Sequence, residues 1–232
     1  MKLHTLDRSR YSSDLLARVA AGWRRLAEDE RRGVIAAARV TADLAAAGAP
    51  PALLATAGRI VEDEVRHVEV CARVIEAFDP VTQPPAARTE RTLPTSLAND
   101  ETAMARTLIT ELALGKPVTA STFASARAVV REPLLAWAYT ELLHDETRHA
   151  TFGAKAAAWV IRHWSTPQRQ ALWTDCLTNG APPRAPRPRD PEAEAIGLLP
   201  GEVDGPLPRW ILPHLAPLGI HPRPSNVQTL VH

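Results

Sequence analysis

Two pentapeptides decide the reading of this chain: DEVRH at residues 63–67 and DETRH at residues 145–149. Each closes a longer matched stretch, PALLATAGRIVEDEVRH at 51–67 and PLLAWAYTELLHDETRH at 133–149, at one offset of 82 residues (63 to 145). Pro51 matches Pro133, Leu53 matches Leu135, and Asp63-Glu64 matches Asp145-Glu146. Such agreement predicts two equivalent helices in an internally duplicated fold. Steps of three and four through Glu64 and His67 give Leu53, Ala57, Ile60, Glu64, His67, Cys71, Val74 and Phe78. The corresponding series in the second stretch is Leu135, Ala138, Leu142, Glu146, His149, Gly153, Ala156 and Val160. Both stripes are apolar except at the Glu and the His, which puts these four residues on the core face of their helices.

A buried carboxylate beside a buried imidazole needs compensation, from an ion pair or from a metal. Glu-x-x-His sets the two groups one turn apart, where they can share a metal. Two such motifs supply four ligands, and a two-metal site in a helical bundle needs one more Glu from each remaining helix. Along the first helix, Leu16, Val19, Trp23, Leu26, Glu30, Gly33, Ala37, Val40 and Leu44 form a stripe whose one acid is Glu30. Asp29 is the rival, because it matches Glu111 at the offset of 82. On the third helix Met104, Leu108, Glu111 and Gly115 line up, with Glu111 the one acid. A metal-free network of the same residues, serving to specify the core, is the alternative to a metal site.

Helical periodicity runs through most of the chain, and strand-like alternation is nearly absent. A first helix is expected from Ser12-Ser13-Asp14 to the stop at Gly48-Ala49-Pro50-Pro51. A second spans about 51–78, and the Pro/Thr/Arg-rich residues 79–98 form a long connection. A third starts near Asn99-Asp100 and should break or kink at Gly115-Lys116-Pro117, because proline removes a backbone donor. A fourth covers about 133–164 and a short fifth about 167–177. Residues 181–232 hold 12 of the 21 prolines, beginning with APPRAPRPRDP. The expected organisation is therefore a helical bundle over 1–178 and a Pro-rich extension over 179–232, anchored by Trp210, Ile211 and Leu212 on the bundle or on a second subunit.

The 232 residues are ordinarily globular in composition, 45% hydrophobic and 23% charged, with a formal net charge of +1. That balance gives no electrostatic case for nucleic acid or an anionic membrane. No apolar run of membrane-spanning or signal-peptide length occurs, and the two cysteines, Cys71 and Cys176, form no disulfide framework. A cytoplasmic protein is expected. His144 forms a second Glu-x-x-His with Glu141 but lies off the core stripe, so it is assigned to the surface or rim. Cys71 reads as a structural core residue, and the six tryptophans as core and tail anchors.

Glu30 followed by DEVRH, then Glu111 followed by DETRH, resembles the ferritin-like di-iron carboxylate proteins. The doubled motif is similar to those of the ribonucleotide reductase small subunit, bacterial multicomponent monooxygenase hydroxylases and p-aminobenzoate N-oxygenases. The resemblance covers about residues 12–165. It implies an all-α, ferritin-like four-helix bundle with two iron ions, or manganese, or one of each. Glu30 and His67 would bind one metal and Glu111 and His149 the other, with Glu64 and Glu146 bridging. It further implies that Asp63 orients His149 and Asp145 orients His67, a task that fixes a ligand imidazole. Arg66 and Arg148, three residues after those aspartates, would hold them charged and in place.

The activity implied is oxidation of a small organic metabolite with O₂ as co-substrate, by an oxygenase or oxidase that takes electrons from a separate reductase or reductant. A homodimer is expected. Two other activities fit the same metal set: iron handling or ferroxidase and peroxidase chemistry, and hydroxylation of RNA. One departure is Gly115, which stands where the multicomponent hydroxylases carry a threonine.

Overall fold

The computed structural model describes residues 5–80, 95–179 and 190–198, together with Leu215 and Leu218. All regular structure among them is helical. Helix α1 spans Ser13–Ala46 and α2 spans Pro51–Phe78. After the crossover, α3 (Glu101–Thr107) runs without a break into a π-helical segment, Leu108–Gly115, and on into α4 (Lys116–Val129). Helix α5 is Pro133–Val160, α6 is Thr166–Asn179 and the short α7 is Pro191–Ile196.

Local chemistry sets these limits. The Ser12 hydroxyl caps α1 by accepting from the amide of Leu15 at 3.2 Å. The helix closes where Gly48 takes φ of 77°, with the Gly48 amide on Ala45 O and the Ala49 amide on Leu44 O. That pairing satisfies two end carbonyls and requires a residue at ease with positive φ. Pro51 then opens α2 as Pro133 opens α5, where the missing amide costs nothing. The two matched helices are each 28 residues long.

Helix α1 packs along α2, α2 against α5, and α5 against both the π segment and α4. The buried apolar residues fall into two clusters rather than one. One gathers Leu44, Ile60, Met104, Leu108, Ile109, Phe152, Val160 and Trp173. The other gathers Leu16, Trp23, Val74, Phe78, Phe123, Leu135, Tyr139 and Leu142. Between them in sequence, on α1, α2 and α5 alike, lies a layer of buried charged side chains. Of the ten buried polar or charged residues among those described, seven belong to that layer: Glu30, Asp63, Glu64, His67, Asp145, Glu146 and His149.

The short α7 docks on the second cluster. The carbonyl of Gly197 accepts from Trp23 Nε1 at 3.1 Å and from the Tyr139 hydroxyl at 2.7 Å. Gly197 has φ of 118°, and a Cβ there would come within 2.3 Å of Leu135 Cδ1, so glycine is required on both counts. Residues 190–198 of the extension thus pack on the helices. The anchors Trp210, Ile211 and Leu212, and residues 81–94 of the crossover, lie outside the described residues. No described helix is long and apolar enough to cross a membrane.

Two sequence expectations change. The fourth long helix ends at Val160 and gives way to a turn rather than reaching 164. The Gly115-Lys116-Pro117 step does not break the third helix. Pro117 cannot donate the amide an α-helical turn would use, and the chain answers with a wider π turn before it.

Candidate metal centre

Each half of the site is built by one duplicated helix, and the halves reach across to each other. His149 presents Nε2 to Asp63 Oδ2 at 3.1 Å, while its Nδ1 lies 3.3 Å from Glu64 Oε1. His67 mirrors this: Nε2 is 3.6 Å from Asp145 Oδ2, and Nδ1 is 3.3 Å from Glu30 Oε2. Each imidazole therefore turns Nε2 toward the aspartate of the opposite helix and Nδ1 toward the carboxylates in the middle. Arg66 bonds both Asp63, at 3.2 Å, and Asp145. Arg148 does the same, at 2.6 Å to Asp63 and 2.5 Å to Asp145. The guanidinium groups are half exposed, whereas the two aspartates are buried.

Electrostatics follow from this geometry. Burial alone would raise the Asp63 carboxyl, but the hydrogen bonds from His149 and Arg148 outweigh it and hold the group at about 2. Burial likewise opposes charge on Glu64, yet His149 and the Lys116 ammonium keep it well below the usual carboxylate range. Glu146 goes the other way, pushed up by burial more than Lys116 and the two histidines pull it down. For His149 the loss of water favours the neutral ring, but Asp63 and Glu64 more than compensate and raise it.

Several buried polar atoms have no hydrogen-bond partner: Glu64 Oε2, both carboxylate oxygens of Glu146 and Nδ1 of His149 at the centre, and Nε2 of His67 on the side of Asp145. Leaving such groups buried and unpaired costs about 1–3 kcal/mol each, more for charged ones. Glu30, Glu64 and His67 each bring one ligand atom to within 4.8 Å of the others, a spacing one metal ion can span. Space for this is kept by Gly33, one turn beyond Glu30, because a Cβ there would sit 2.4 Å from Glu64 Oε2.

Of the expected ligands, the structure brings Glu30, Glu64, His67, Glu146 and His149 together, with Asp63, Arg66, Asp145 and Arg148 around them. Asp29, the rival to Glu30, is exposed and pairs with Arg32. Glu111 is not in the cluster. It is exposed on the π segment, and the expectation that it faces the core is corrected. The reason is helical phase. A regular α-helix would bring Met104, Leu108, Glu111 and Gly115 to one face. The wider π turn advances in steps of four, so the inward set is Met104, Leu108, Leu112 and Lys116.

Lys116 is the residue that the stripe argument missed. Its ammonium lies 2.7 Å from Glu64 Oε1 and 3.6 Å from Glu146 Oε1, on a side chain 15% exposed. Burial would favour the neutral amine, but Glu146, Glu64 and Glu30 together raise it above the ordinary lysine value. The signal available in the sequence was Pro117, which is hard to fit into a regular third helix.

On the outer side of the arginine–aspartate network is an open depression of about 800 Å³, lined in part by Arg66, Glu141, His144, Asp145 and Arg148. His144 is exposed there, 3.3 Å from Asp145, in keeping with a rim position. Against known proteins, no family model matches the chain, and neither a curated protein nor a solved structure gives a significant match.

Proposed function

We propose that this chain is an iron-dependent oxidoreductase of the ferritin-like carboxylate type, which uses O₂ to oxidise a small organic metabolite. The observation that carries the reading is the set of buried carboxylates and imidazoles converging from α1, α2 and α5, with unpartnered atoms on Glu64, His67, Glu146 and His149. A core built for stability alone would have paired these atoms or replaced them with apolar groups. Oxygen and nitrogen donors of this kind suit iron or manganese. Bound iron with open coordination positions would supply oxygen reduction, with electrons from a separate reductase or small reductant.

The chain's own residues have defined tasks in this reading. Glu30, Glu64 and His67 hold the cation, while Glu146 and His149 line the other side of the centre. Asp63 hydrogen-bonds Nε2 of His149 and Asp145 stands next to Nε2 of His67, which orients both rings with Nδ1 toward the carboxylates that would share the cation. Arg66 and Arg148 keep those aspartates ionised and in position. The apolar clusters above and below keep bulk water from the carboxylates. The two-iron count implied by the resemblance asks for a sixth ligand, and Glu111 is not placed to give it.

The test is anaerobic loading with Fe(II), removal of free metal, and a pulse of O₂ followed by absorption spectroscopy. Stoichiometric retained iron and a new ligand-to-metal band on oxygenation are expected. Protein that retains neither iron nor manganese would overturn the proposal.

A further inference from the structure

We propose that the centre takes a single divalent cation, at Glu30, Glu64 and His67, and that the ammonium of Lys116 is a built-in cation standing where a second metal would lie. This rests on the metal-centre reading above and sharpens it. Four features point the same way.

First, Glu64 is divided between two cationic positions. Its Oε1 accepts from Lys116 at 2.7 Å, while its Oε2 has no partner and lies over the gap left by Gly33 on α1. A carboxylate arranged to bridge two metals is here arranged to bridge one metal and an ammonium. Second, Lys116 also approaches Glu146, at 3.6 Å, so it faces both of the carboxylates expected to bridge. Third, the residue expected to complete the second metal's coordination, Glu111, is turned to solvent by the same π turn that brings Lys116 in. One change of helical phase thus removes an anion from the centre and adds a cation.

The fourth feature is charge. Five buried carboxylates (Glu30, Asp63, Glu64, Asp145 and Glu146) face three fixed cations (Arg66, Lys116 and Arg148). With carboxylates ionised and imidazoles neutral, as ligation demands, two negative charges remain. One divalent ion neutralises them. Two would leave an excess of two positive charges in a site shielded from water, which is costly.

The experiment counts bound metal. Wild-type protein and Lys116→Glu, which replaces the cation by a carboxylate, are loaded anaerobically with Fe(II) and, separately, with Mn(II). Metal per chain is measured after gel filtration, and Mn(II) electron paramagnetic resonance separates isolated from spin-coupled ions. The expected result is one ion per wild-type chain with an uncoupled signal, and two coupled ions per Lys116→Glu chain. Lys116→Arg, which keeps the positive charge, is expected to bind one.

Two coupled ions in the wild type would overturn the inference and leave the metal-centre reading standing. No metal in any of the proteins would overturn both. A folded Lys116→Glu chain that still takes one ion would overturn the placing of Lys116 at the second position. Should that variant fail to fold, the wild-type count and spectrum decide by the same criteria.

Discussion

The two halves of the molecule share one motif helix but differ in the helix that supports it. Helix α1 is a regular α-helix, and it delivers Glu30 to the centre. Its counterpart, the α3–π–α4 run, carries a widened turn over Leu108–Gly115, and it delivers Lys116 while turning Glu111 outward. The matched positions Cys71 and Gly153 record the same difference. Cys71 is fully buried, and burial and then the Glu30 charge push its thiol up. At Gly153 the π segment comes so close that a Cβ would lie 2.5 Å from Leu112 Cβ, 2.7 Å from Ala113 N and 2.9 Å from Leu108 O. A duplicated sequence thus gives a symmetric inner network, and a single change of helical pitch makes its contents unequal.

The strongest way to break this comparison is to fill the gap at Gly153. Two of the three clashing atoms belong to the backbone, so they cannot move aside as a side-chain tip could. Gly153→Ala should lose about 1–3 kcal/mol of stability in denaturant unfolding, as overpacked cores do, and Gly153→Cys, which copies the partner position, should lose more. Full tolerance of either would mean that the π segment is not held against α5 as described.

Acid tests the symmetric part. Asp63 is held at about 2, below its value in an unfolded chain. Its contribution to stability is therefore complete above the ordinary aspartate range, at about pH 4, and disappears as the pH falls through the folded value. Stability measured by denaturant across that interval should drop in the wild type and change less in Asp63→Asn. Parallel curves for the two proteins would remove Asp63 from the network.

The smallest effects belong to the acids that the fold leaves outside. Asp29→Asn and Glu111→Gln should each stay within about 0.5 kcal/mol of the wild type, as surface changes do, and keep its metal content. Loss of metal in Glu111→Gln would mean that the π turn rearranges to bring this residue inward.

Much of the arrangement was legible because it rests on periodicity. The stripe through Glu64 and His67 and its copy through Glu146 and His149 hold in the structure, since both helices are regular for 28 residues from a proline start. The same count points to Glu30 but leaves Asp29 open, and it is the structure that separates them, with Glu30 buried and Asp29 exposed. The all-helical class followed from the same signal. The sequence places Glu111 wrongly and passes over Lys116 because a count in steps of three and four assumes α-helical pitch, and Pro117 signals a disturbance without saying what form it takes. A proline can break, kink or widen a helix, and the packing of α5 through Gly153 selects the third outcome here. The crossed pairing of each aspartate with the other half's histidine came from the resemblance, because helical spacing says nothing about which helices are neighbours.

The central claim is that the polar layer is a cation site centred on Glu30, Glu64 and His67. Its most direct test is calorimetric titration of Fe(II) into metal-free wild type, Glu30→Ala and His67→Ala under anaerobic conditions, with folding checked by circular dichroism. The account predicts stoichiometric binding by the wild type and its loss in both variants while they remain helical. Wild-type protein that takes up no metal, or variants that bind as the wild type does, would contradict it.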